Sequence, residues 1–254
     1  MRELGGFIWK HVQSSVFPLF LFAAMGFTKF TTLGLPRYDV LLVLSLLMQT
    51  FMYWTKLETI SELRTVFAFH LLGLALELYK VSHGSWRYPQ EGFKIAGVPL
   101  YSGFMYASIA SYMMQGWRRF ELVLVGWPRA SWLIAGCAAI YVNFFLARTY
   151  GDVRWWILAV LAVIFARCRV QFTTLPNRRR AMPVLLAFLL IGTFVWFAEH
   201  LCTWLGAWQY PYQREMWTLV DAGKLSSCTM MVIISFTIVA ELKRRGTLLR
   251  SANA

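Results

Sequence analysis

The sequence contains few acidic residues and little charge of either sign. Asp and Glu together number 12 in 254 residues, Lys and Arg number 25, and all charged residues make up 15% of the chain. Hydrophobic residues make up 58%. A chain of this composition cannot cover a soluble surface with polar groups, and long apolar runs indicate helices that cross a membrane. The composition therefore excludes an ordinary soluble domain and favours an integral membrane protein.

Motifs that bind cofactors are also missing. The four cysteines lie in apolar runs without a C-x-x-C pair, which predicts neither a disulfide framework nor a thiolate metal site. The sequence contains no P-loop, dinucleotide fingerprint or nucleophilic-serine motif, so we expect chemistry without a cofactor or metal. The excess of Lys and Arg lies between apolar runs and in the tails, where membrane proteins use it to fix orientation. Nucleic acid is therefore not an expected partner.

Eight apolar runs have the length and flanking charges of membrane spans. The predicted fold is an all-α, polytopic membrane protein that forms a single membrane domain over residues 1–254. Lys and Arg are more frequent on the side of the membrane that holds both termini, so we expect cytoplasmic termini in a bacterial cytoplasmic (inner) membrane. The predicted spans are approximately 12–30, 38–55, 61–80, 96–117, 130–148, 155–173, 181–204 and 219–241.

Two thirteen-residue segments of the chain match. Residues 77–89 and 199–211 both read E-x6-G-[SA]-W-[RQ]-Y-P, at a separation of 122 positions. This separation places the first four predicted spans onto the last four. The match predicts an internal duplication, with one repeat at about 12–117 and the other at about 130–241. Because four spans per repeat is an even number, we expect two parallel four-helix halves.

The duplication places Glu77 and Glu199 at equivalent points of two apolar helices. A carboxyl group inside a membrane is costly and indicates a functional site. One such group can act as an acid while a better-hydrated partner acts as a base; the alternative is that each carboxyl only caps a helix near the interface. His70 lies seven residues before Glu77 on the same helix face, and could relay a proton, bind a metal or simply be an interior histidine.

Four aromatic residues follow the two glutamates. Trp86, Tyr88, Trp208 and Tyr210 either anchor the chain at the membrane interface or line a pocket in which they stabilise a cation. Asp221 and Lys224 are three residues apart on the predicted eighth span, so that they could pair there. This pair is either structural or part of the site.

Several longer motifs resemble a known family. They are Arg37-Tyr38-Asp39, the run 69–80, Gly84-Ser85-Trp86 with Tyr88-Pro89, the run 97–106 and Lys224-Leu225-Ser226-Ser227. Through them, nearly the whole chain is identified as a member of the YoaT-like family of uncharacterised bacterial membrane proteins. This resemblance implies a membrane fold but no activity.

A more remote resemblance connects about thirty residues per half to membrane-embedded lycopene cyclase domains. Glu77 matches the acidic position of those domains, Gly84 and Trp86 match the following loop, and Pro99-Leu100 matches the start of the next span. This chain has Tyr101-Ser102 where the cyclases carry two acidic residues. The resemblance implies chemistry on an isoprenoid, with Tyr101 beside the substrate.

Three functions remain open from the sequence. The first is a cofactor-independent enzyme of cyclase, isomerase or hydratase type, which acts on an isoprenoid or another apolar lipid in the bilayer. The second is a transporter coupled to protons or cations, and the third is a membrane scaffold without turnover. The expected partner is a membrane lipid or an apolar small molecule, and a homo-oligomer is compatible with the sequence.

Overall fold

The computed structural model describes residues 1–31 and 34–252, and the chain is mostly helical, at 68%. The described part forms nine α-helices, five short strands and one 3-10 turn. The helices are α1 (Arg2–Ser14), α2 (Val16–Phe30), α3 (Arg37–Trp54), α4 (Ile60–Ser82), α5 (Ser102–Arg119), α6 (Ala130–Tyr150), α7 (Arg154–Phe165), α8 (Val184–Trp204) and α9 (Lys224–Ala252). The strands are β1 (Lys94–Ile95), β2 (Val98–Pro99), β3 (Val123–Val125), β4 (Arg169–Leu175) and β5 (Arg178–Pro183), and the 3-10 turn is Pro211–Gln213.

Four helices are long and apolar enough to cross a membrane. These are α4, α6, α8 and the first 21 residues of α9. Helices α1 and α2 meet the same criterion only together, with a bend of 65° between them, so the described residues provide five spans at most. Helix α7 is apolar but has 12 residues, or about 18 Å of helix, against a hydrocarbon core of about 30 Å. The expected helical, membrane-compatible character is confirmed, whereas the eight spans are not.

The expected sixth and seventh spans contain a β-hairpin, so the all-α prediction is wrong here. Helix α7 ends at Phe165, and β4 pairs with β3 on one side and with β5 on the other, all antiparallel. The hairpin turns at Asn177, whose φ is +64°. Asn tolerates this left-handed conformation, and the first four residues of β4 alternate between at least partly exposed and buried side chains, as expected of a half-buried strand.

Two other predicted spans begin later than expected. The run at 96–117 begins as the short hairpin β1–β2, which turns at Ala96 and Gly97 with φ values of +48° and +82°. Helix α5 then begins at Ser102. The run at 219–241 becomes helical only at Lys224. In both cases a tight turn precedes the helix.

The described chain divides into two compact units. One unit, called here the sheet unit, comprises Met1–Lys10, Gly116–Trp196 and Asp221–Ala254, and the other, the loop unit, comprises His11–Gln115 and Phe197–Val220. The loop unit therefore draws on both predicted repeats, whereas the sheet unit comes almost entirely from the second. In the sheet unit, the aromatic rings of Trp127, Phe165, Phe188 and Phe236 pack together.

The core of the loop unit surrounds a pair of tyrosines. Tyr38 and Tyr101 are almost fully buried, and their rings stack with centroids 5.2 Å apart. Apolar side chains from α2 and α3 and from the segment 202–207 complete this core. They are Leu21, Ala24, Met25, Leu41, Cys202, Leu205 and Ala207. We call residues 84–89 the first Gly-x-Trp loop and residues 206–211 the second. Because Ala207 belongs to this core, the core packs directly against the second loop.

Candidate functional site

Helix α4 places Glu77 in the loop unit. The helix begins with a capping box, in which the Glu62 amide donates to Thr59 Oγ1 at 3.3 Å and the Thr59 amide donates to Glu62 Oε2 at 3.0 Å. It ends at Ser82, and Gly84 adopts a φ of +67° that terminates the helix. Glu77 therefore lies in the last two turns, directly before the first Gly-x-Trp loop.

The Glu77 carboxylate is enclosed by three hydrogen-bond donors. Its side chain is 2% exposed. Trp86 Nε1 and Tyr88 Oη both donate to Oε2 at 2.7 Å, and Tyr106 Oη donates to Oε1 at 2.7 Å. Three neutral donors on one carboxyl group satisfy a buried carboxylate without a cation.

The Tyr106 contact depends on a glycine. A Cβ at Gly73 would lie 2.4 Å from the Tyr106 ring, so only a residue without a side chain lets this ring cross α4 at that point. The crossing brings the Tyr106 hydroxyl, one helical turn further along α4, to Glu77. Gly73 thus has a steric role in the site.

Glu199 has a more open environment than Glu77. Its side chain is partly exposed, and Tyr210 Oη donates to Glu199 Oε2 at 3.2 Å. The Trp86 indole donates to Glu77, and its ring meets the Tyr210 ring, whose hydroxyl donates to Glu199; Tyr106 donates to Glu77 and lies within electrostatic range of both carboxyl groups. The structure therefore brings Glu77 and Glu199 to one site around Tyr106.

The two Gly-x-Trp loops have matching backbone hydrogen bonds. The Ser85 amide donates to the Lys80 carbonyl and the Ala207 amide to the Cys202 carbonyl, each at 2.9 Å. Gly84 and Gly206 have φ values of +67° and +74°. The hydroxyls of Tyr88 and Tyr210 each donate to the glutamate eleven residues earlier, Glu77 and Glu199.

The loops also pair with each other through equivalent residues. Arg87 and Gln209 form an antiparallel bridge with two backbone hydrogen bonds of 2.9 Å, and Arg87 Nε donates to Gln209 Oε1 at 2.9 Å. Beside this bridge, the rings of Trp86 and Tyr210 meet edge to face, with centroids 6.1 Å apart. Aromatic residues of both loops therefore lie at one place.

The second loop is held by side chains from elsewhere in the loop unit. Arg37 Nη2 donates to the Leu205 carbonyl at 2.7 Å, and Nη1 donates to the Gly206 carbonyl at 3.2 Å. The hydroxyls of Tyr101 and Tyr38 donate to the Ala207 carbonyl at 2.6 and 3.3 Å. Tyr101 therefore supports the backbone of the second loop.

Tyr88 lies in the first loop, outside the helices. Burial, followed by the charge of Glu77, raises the pKa of its phenol well above the usual value. Tyr88 therefore remains a donor to the Glu77 carboxylate at any physiological pH.

His70 and Trp208 have different surroundings. The His70 ring packs on Phe104, with centroids 4.6 Å apart, and a Cβ at Gly103 would lie 2.5 Å from its Nδ1. Among the described residues, this buried nitrogen has no hydrogen-bond partner. Trp208 packs against the core of the loop unit.

Asp221 and Lys224 belong to the sheet unit, and only Lys224 lies in a helix, as the first residue of α9. Asp221 precedes α9: its Oδ1 accepts from the Gly223 amide at 2.8 Å, and its carbonyl accepts from the Lys224 amide at 3.0 Å. The Trp196 indole also donates to the Asp221 carbonyl, at 3.2 Å. The motif is a turn that starts α9, because Asp favours such turns over helix interiors.

Two contributors were missed from the sequence, namely Tyr106 and Arg37. The spacing of Gly73 and Glu77 on one helix face, opposite an aromatic residue in the next helix, is a weak signal for Tyr106. Nothing in the sequence pattern indicates that Arg37 reaches residues 205 and 206. In the described part of the chain, no group of three or more His, Cys, Asp or Glu side chains is arranged to bind a metal.

Comparison with known proteins places the chain in a family. The model of the family "Protein of unknown function (DUF817)" matches residues 3–236. The chain belongs to this family. It is also 48% identical to the "Uncharacterized protein YoaT" of Bacillus subtilis (strain 168), over 96% of this chain and 93% of that protein. No solved structure matches the chain.

Proposed function

We propose that the protein is a cofactor-independent acid–base enzyme that acts on an isoprenoid or another apolar lipid within the bilayer. The observation that carries this proposal is the pair of interacting carboxyl groups, Glu77 and Glu199, in two unlike environments among aromatic rings. Pairs of titratable groups in different surroundings are typical of acid–base sites. Reactions of cyclase, isomerase or hydratase type need only a proton donor, a proton acceptor and a dry, shaped site.

The two carboxyl groups take different roles in this proposal. Glu199 is partly exposed and exchanges a proton with the substrate. Glu77 is fully enclosed, so it acts as a positioning residue that holds Trp86, Tyr88 and Tyr106 in place.

Aromatic rings beside Glu199 supply the stabilisation that a cationic intermediate needs. Tyr210 stacks on Tyr212 with centroids 5.5 Å apart and meets Trp86 edge to face. Their π-faces can stabilise a positive charge that forms after protonation of a double bond or an epoxide.

The proposed membrane arrangement has two parallel repeats of four helices, α2–α5 and α6–α9, in a bacterial cytoplasmic membrane with both termini in the cytoplasm. In support, a shift of 122 positions moves Ser102, where α5 begins, onto Lys224, where α9 begins. The same shift moves Ser82, where α4 ends, onto Trp204, where α8 ends. It also moves the bond between the Ser85 amide and the Lys80 carbonyl onto the bond between the Ala207 amide and the Cys202 carbonyl. We propose that the short α7, with the hairpin that follows it, occupies the place of a full span.

The test is a comparison of lipid extracts from isoprenoid-rich host cells. The cells express the wild type, Glu199→Gln or Glu77→Gln, and extracts are analysed by liquid chromatography and mass spectrometry. We expect a product of unchanged mass, or one heavier by one water, with the wild type alone. Glu215→Gln, which changes an exposed carboxyl group after the second loop, is the matched control and should retain the product.

The amount of each variant in the membrane is quantified by immunoblot, and thermal melting in detergent establishes that it is folded, so that a loss of product can be assigned to chemistry. Identical extracts from the wild type and from both folded variants would contradict the proposal. A product that persists in Glu199→Gln but disappears in folded Glu77→Gln would reverse the two assigned roles.

A further inference from the structure

Helix α1 packs through its polar side on the hairpin β4–β5, within the sheet unit. Lys10 Nζ donates to the Thr173 carbonyl at 2.7 Å, and Arg180 donates to both oxygens of the Glu3 carboxylate, at 2.7 and 2.8 Å. A Cβ at Gly6 would lie 2.7 Å from a side-chain carbon of β4, so the helix and the hairpin are in close contact there. Positions 3, 6 and 10 share one face of the helix, and the hairpin covers this face.

The opposite face of α1 is apolar and exposed. Leu4, Ile8 and Trp9 are 61%, 52% and 61% exposed. At about 100° of rotation per residue, these three positions centre on the side of the helix away from positions 3, 6 and 10. A surface helix of a soluble protein has the reverse arrangement, because it buries its apolar stripe against the core. An apolar outer face is the arrangement expected of a helix that contacts lipid.

The chain continues from α1 into the apolar α2 with a bend of 65°. The two helices therefore cannot both run along the membrane normal. Helix α1 carries Arg2, Glu3 and Lys10, whereas the sequence of α2 has one charged residue, Lys29, in its last turn. Of the two helices, α1 is the one suited to the membrane–water interface, where a tryptophan such as Trp9 is also favoured.

The hairpin adds positive charge beside α1. Arg178, Arg179 and Arg180 follow its turn and are exposed. Arg180 forms an ion pair with Glu3, and the cations of the helix and the hairpin outnumber this carboxylate. Because the hairpin packs on the polar side of α1, it lies at the level of the lipid headgroups when the apolar face of α1 contacts acyl chains. A guanidinium group at that level binds phosphate oxygens through paired N–H donors.

We propose that α1 and the turn of the hairpin form a surface that binds anionic phospholipid, in the leaflet on the side of the N-terminus. Leu4, Ile8 and Trp9 enter the outer part of the acyl chains, and Arg178 and Arg179 contact lipid phosphates. Burial of apolar area and attraction between opposite charges both contribute to such binding. The surface requires a chain that lies in a membrane, but it is independent of the reaction proposed at Glu199, and its tests involve no turnover.

The first test measures the depth of α1 in nanodiscs of phosphatidylcholine and phosphatidylglycerol. A nitroxide spin label is attached to Ile8→Cys, or to Pro176→Cys in the exposed hairpin turn as the matched control, and the signal of labelled wild type is subtracted. We expect the label at position 8 to be relaxed more by oxygen, which concentrates among acyl chains, than by a water-soluble nickel complex. The label at position 176 should show the reverse preference.

Leu4→Cys, on the same face of α1, repeats this measurement. A label at position 8 that responds to nickel like the label at position 176 would place α1 in water and overturn the proposal. A label shielded from both agents would place protein on this face and overturn it as well.

The second test measures the Tm of the full-length protein in detergent with added phosphatidylglycerol or phosphatidylcholine. We expect phosphatidylglycerol to raise the Tm about twice as much as phosphatidylcholine, because the arginines attract its charge. In Arg178→Gln/Arg179→Gln this excess should fall by about half or more. Arg87→Gln/Arg214→Gln, which removes two exposed arginines of the loop unit, is the matched control and should retain the excess.

The single variant Arg179→Gln decides if the double variant does not fold. Equal rises in Tm with the two lipids for the wild type would overturn the proposal. An unchanged excess in folded Arg178→Gln/Arg179→Gln would do the same, because the charge would then be read elsewhere on the protein.

Discussion

The two Gly-x-Trp loops share one backbone conformation but differ in what holds them. In the first loop the carboxyl group is enclosed by three side-chain donors, while His83 and Gly84 are exposed. In the second loop the backbone is fixed through its carbonyl groups by Arg37, Tyr38 and Tyr101, and the carboxyl group of Glu199 is partly exposed.

The two loops therefore differ in which part of them is fixed: the carboxyl group before the first loop, and the backbone of the second. A carboxyl group that exchanges a proton with a substrate must stay accessible, so its position has to be fixed through the backbone around it. A carboxyl group that organises its neighbours can be enclosed by them. The second loop therefore has the arrangement expected of a reactive site, and the first has that of its support.

The largest expected effect follows from removing the backbone clamp of the second loop. Arg37→Gln removes charge-assisted bonds to the carbonyl groups of Leu205 and Gly206 at the end of α8. We expect a loss of about 2–3 kcal/mol, because buried carbonyl groups at a helix end lose their partners. Thermal melting in detergent measures the loss, and hydrogen exchange of residues 205–210 should increase.

Arg87→Gln is the control for this change, because Arg87 is exposed and makes its side-chain bond at the loop surface. We expect its loss to stay below about 0.5 kcal/mol. Equal destabilisation by the two variants would contradict the assignment of Arg37 as the clamp.

The next prediction compares equivalent glycines. Gly84 and Gly206 are both left-handed, so replacement by Ala costs about 1 kcal/mol at either position through backbone strain. A Cβ at Gly84 meets nothing within 4 Å, whereas one at Gly206 would lie 3.1 Å from Arg37 Nη1. Gly206→Ala should therefore cost about 2 kcal/mol, twice the cost of Gly84→Ala.

Melting temperatures of the two alanine variants, measured side by side, test this difference. A Gly84→Ala variant that is as unstable as Gly206→Ala would show that both loops are equally constrained. Because the backbone conformation is the same at both glycines, the difference between the two variants measures the contact with Arg37 alone.

The smallest expected effect concerns the two tyrosines. Tyr88→Phe removes one of three donors from a fully buried carboxyl group, with an expected loss of about 1.5 kcal/mol. Tyr210→Phe removes a longer bond of 3.2 Å from a partly exposed carboxyl group, with an expected loss of about 0.5 kcal/mol. Chemical denaturation gives both values, and the reverse order would contradict the description of Glu77 as the enclosed group.

The sequence predicts those parts of the molecule that depend on local pattern. The apolar runs that became α4, α6 and α8 were found because a helix that faces lipid must itself be apolar. Helix α5 is less apolar than α4, α6 and α8. Most of its residues are buried in the protein, and a helix that does not face lipid needs no apolar surface. The sequence pattern does not reveal the hairpin β4–β5, since its strands adjoin the apolar α7 and α8 and extend their runs to the length of two spans.

The two glutamates and their loops were identified because they repeat. The sequence does not indicate Tyr106 and Arg37 as their partners, because these residues reach Glu77 and the second loop from other parts of the chain. Glu77 and Glu199 come together through tertiary packing, which a single sequence does not reveal. Asp221 was assigned to a helix because the run around it is apolar, but its side chain bonds to the Gly223 amide and forms a turn.

The bridge between Arg87 and Gln209 places equivalent positions of two similar segments face to face. In an assembly of two identical chains, such a position meets a copy of itself, and an arginine would then face an arginine. Two like charges at that distance repel, so identical subunits could not keep this cation at the point of contact. A single chain that contains both segments is free of this restriction. It can place Arg on one side and its acceptor Gln on the other, and by the same freedom it can enclose one glutamate and leave the other open.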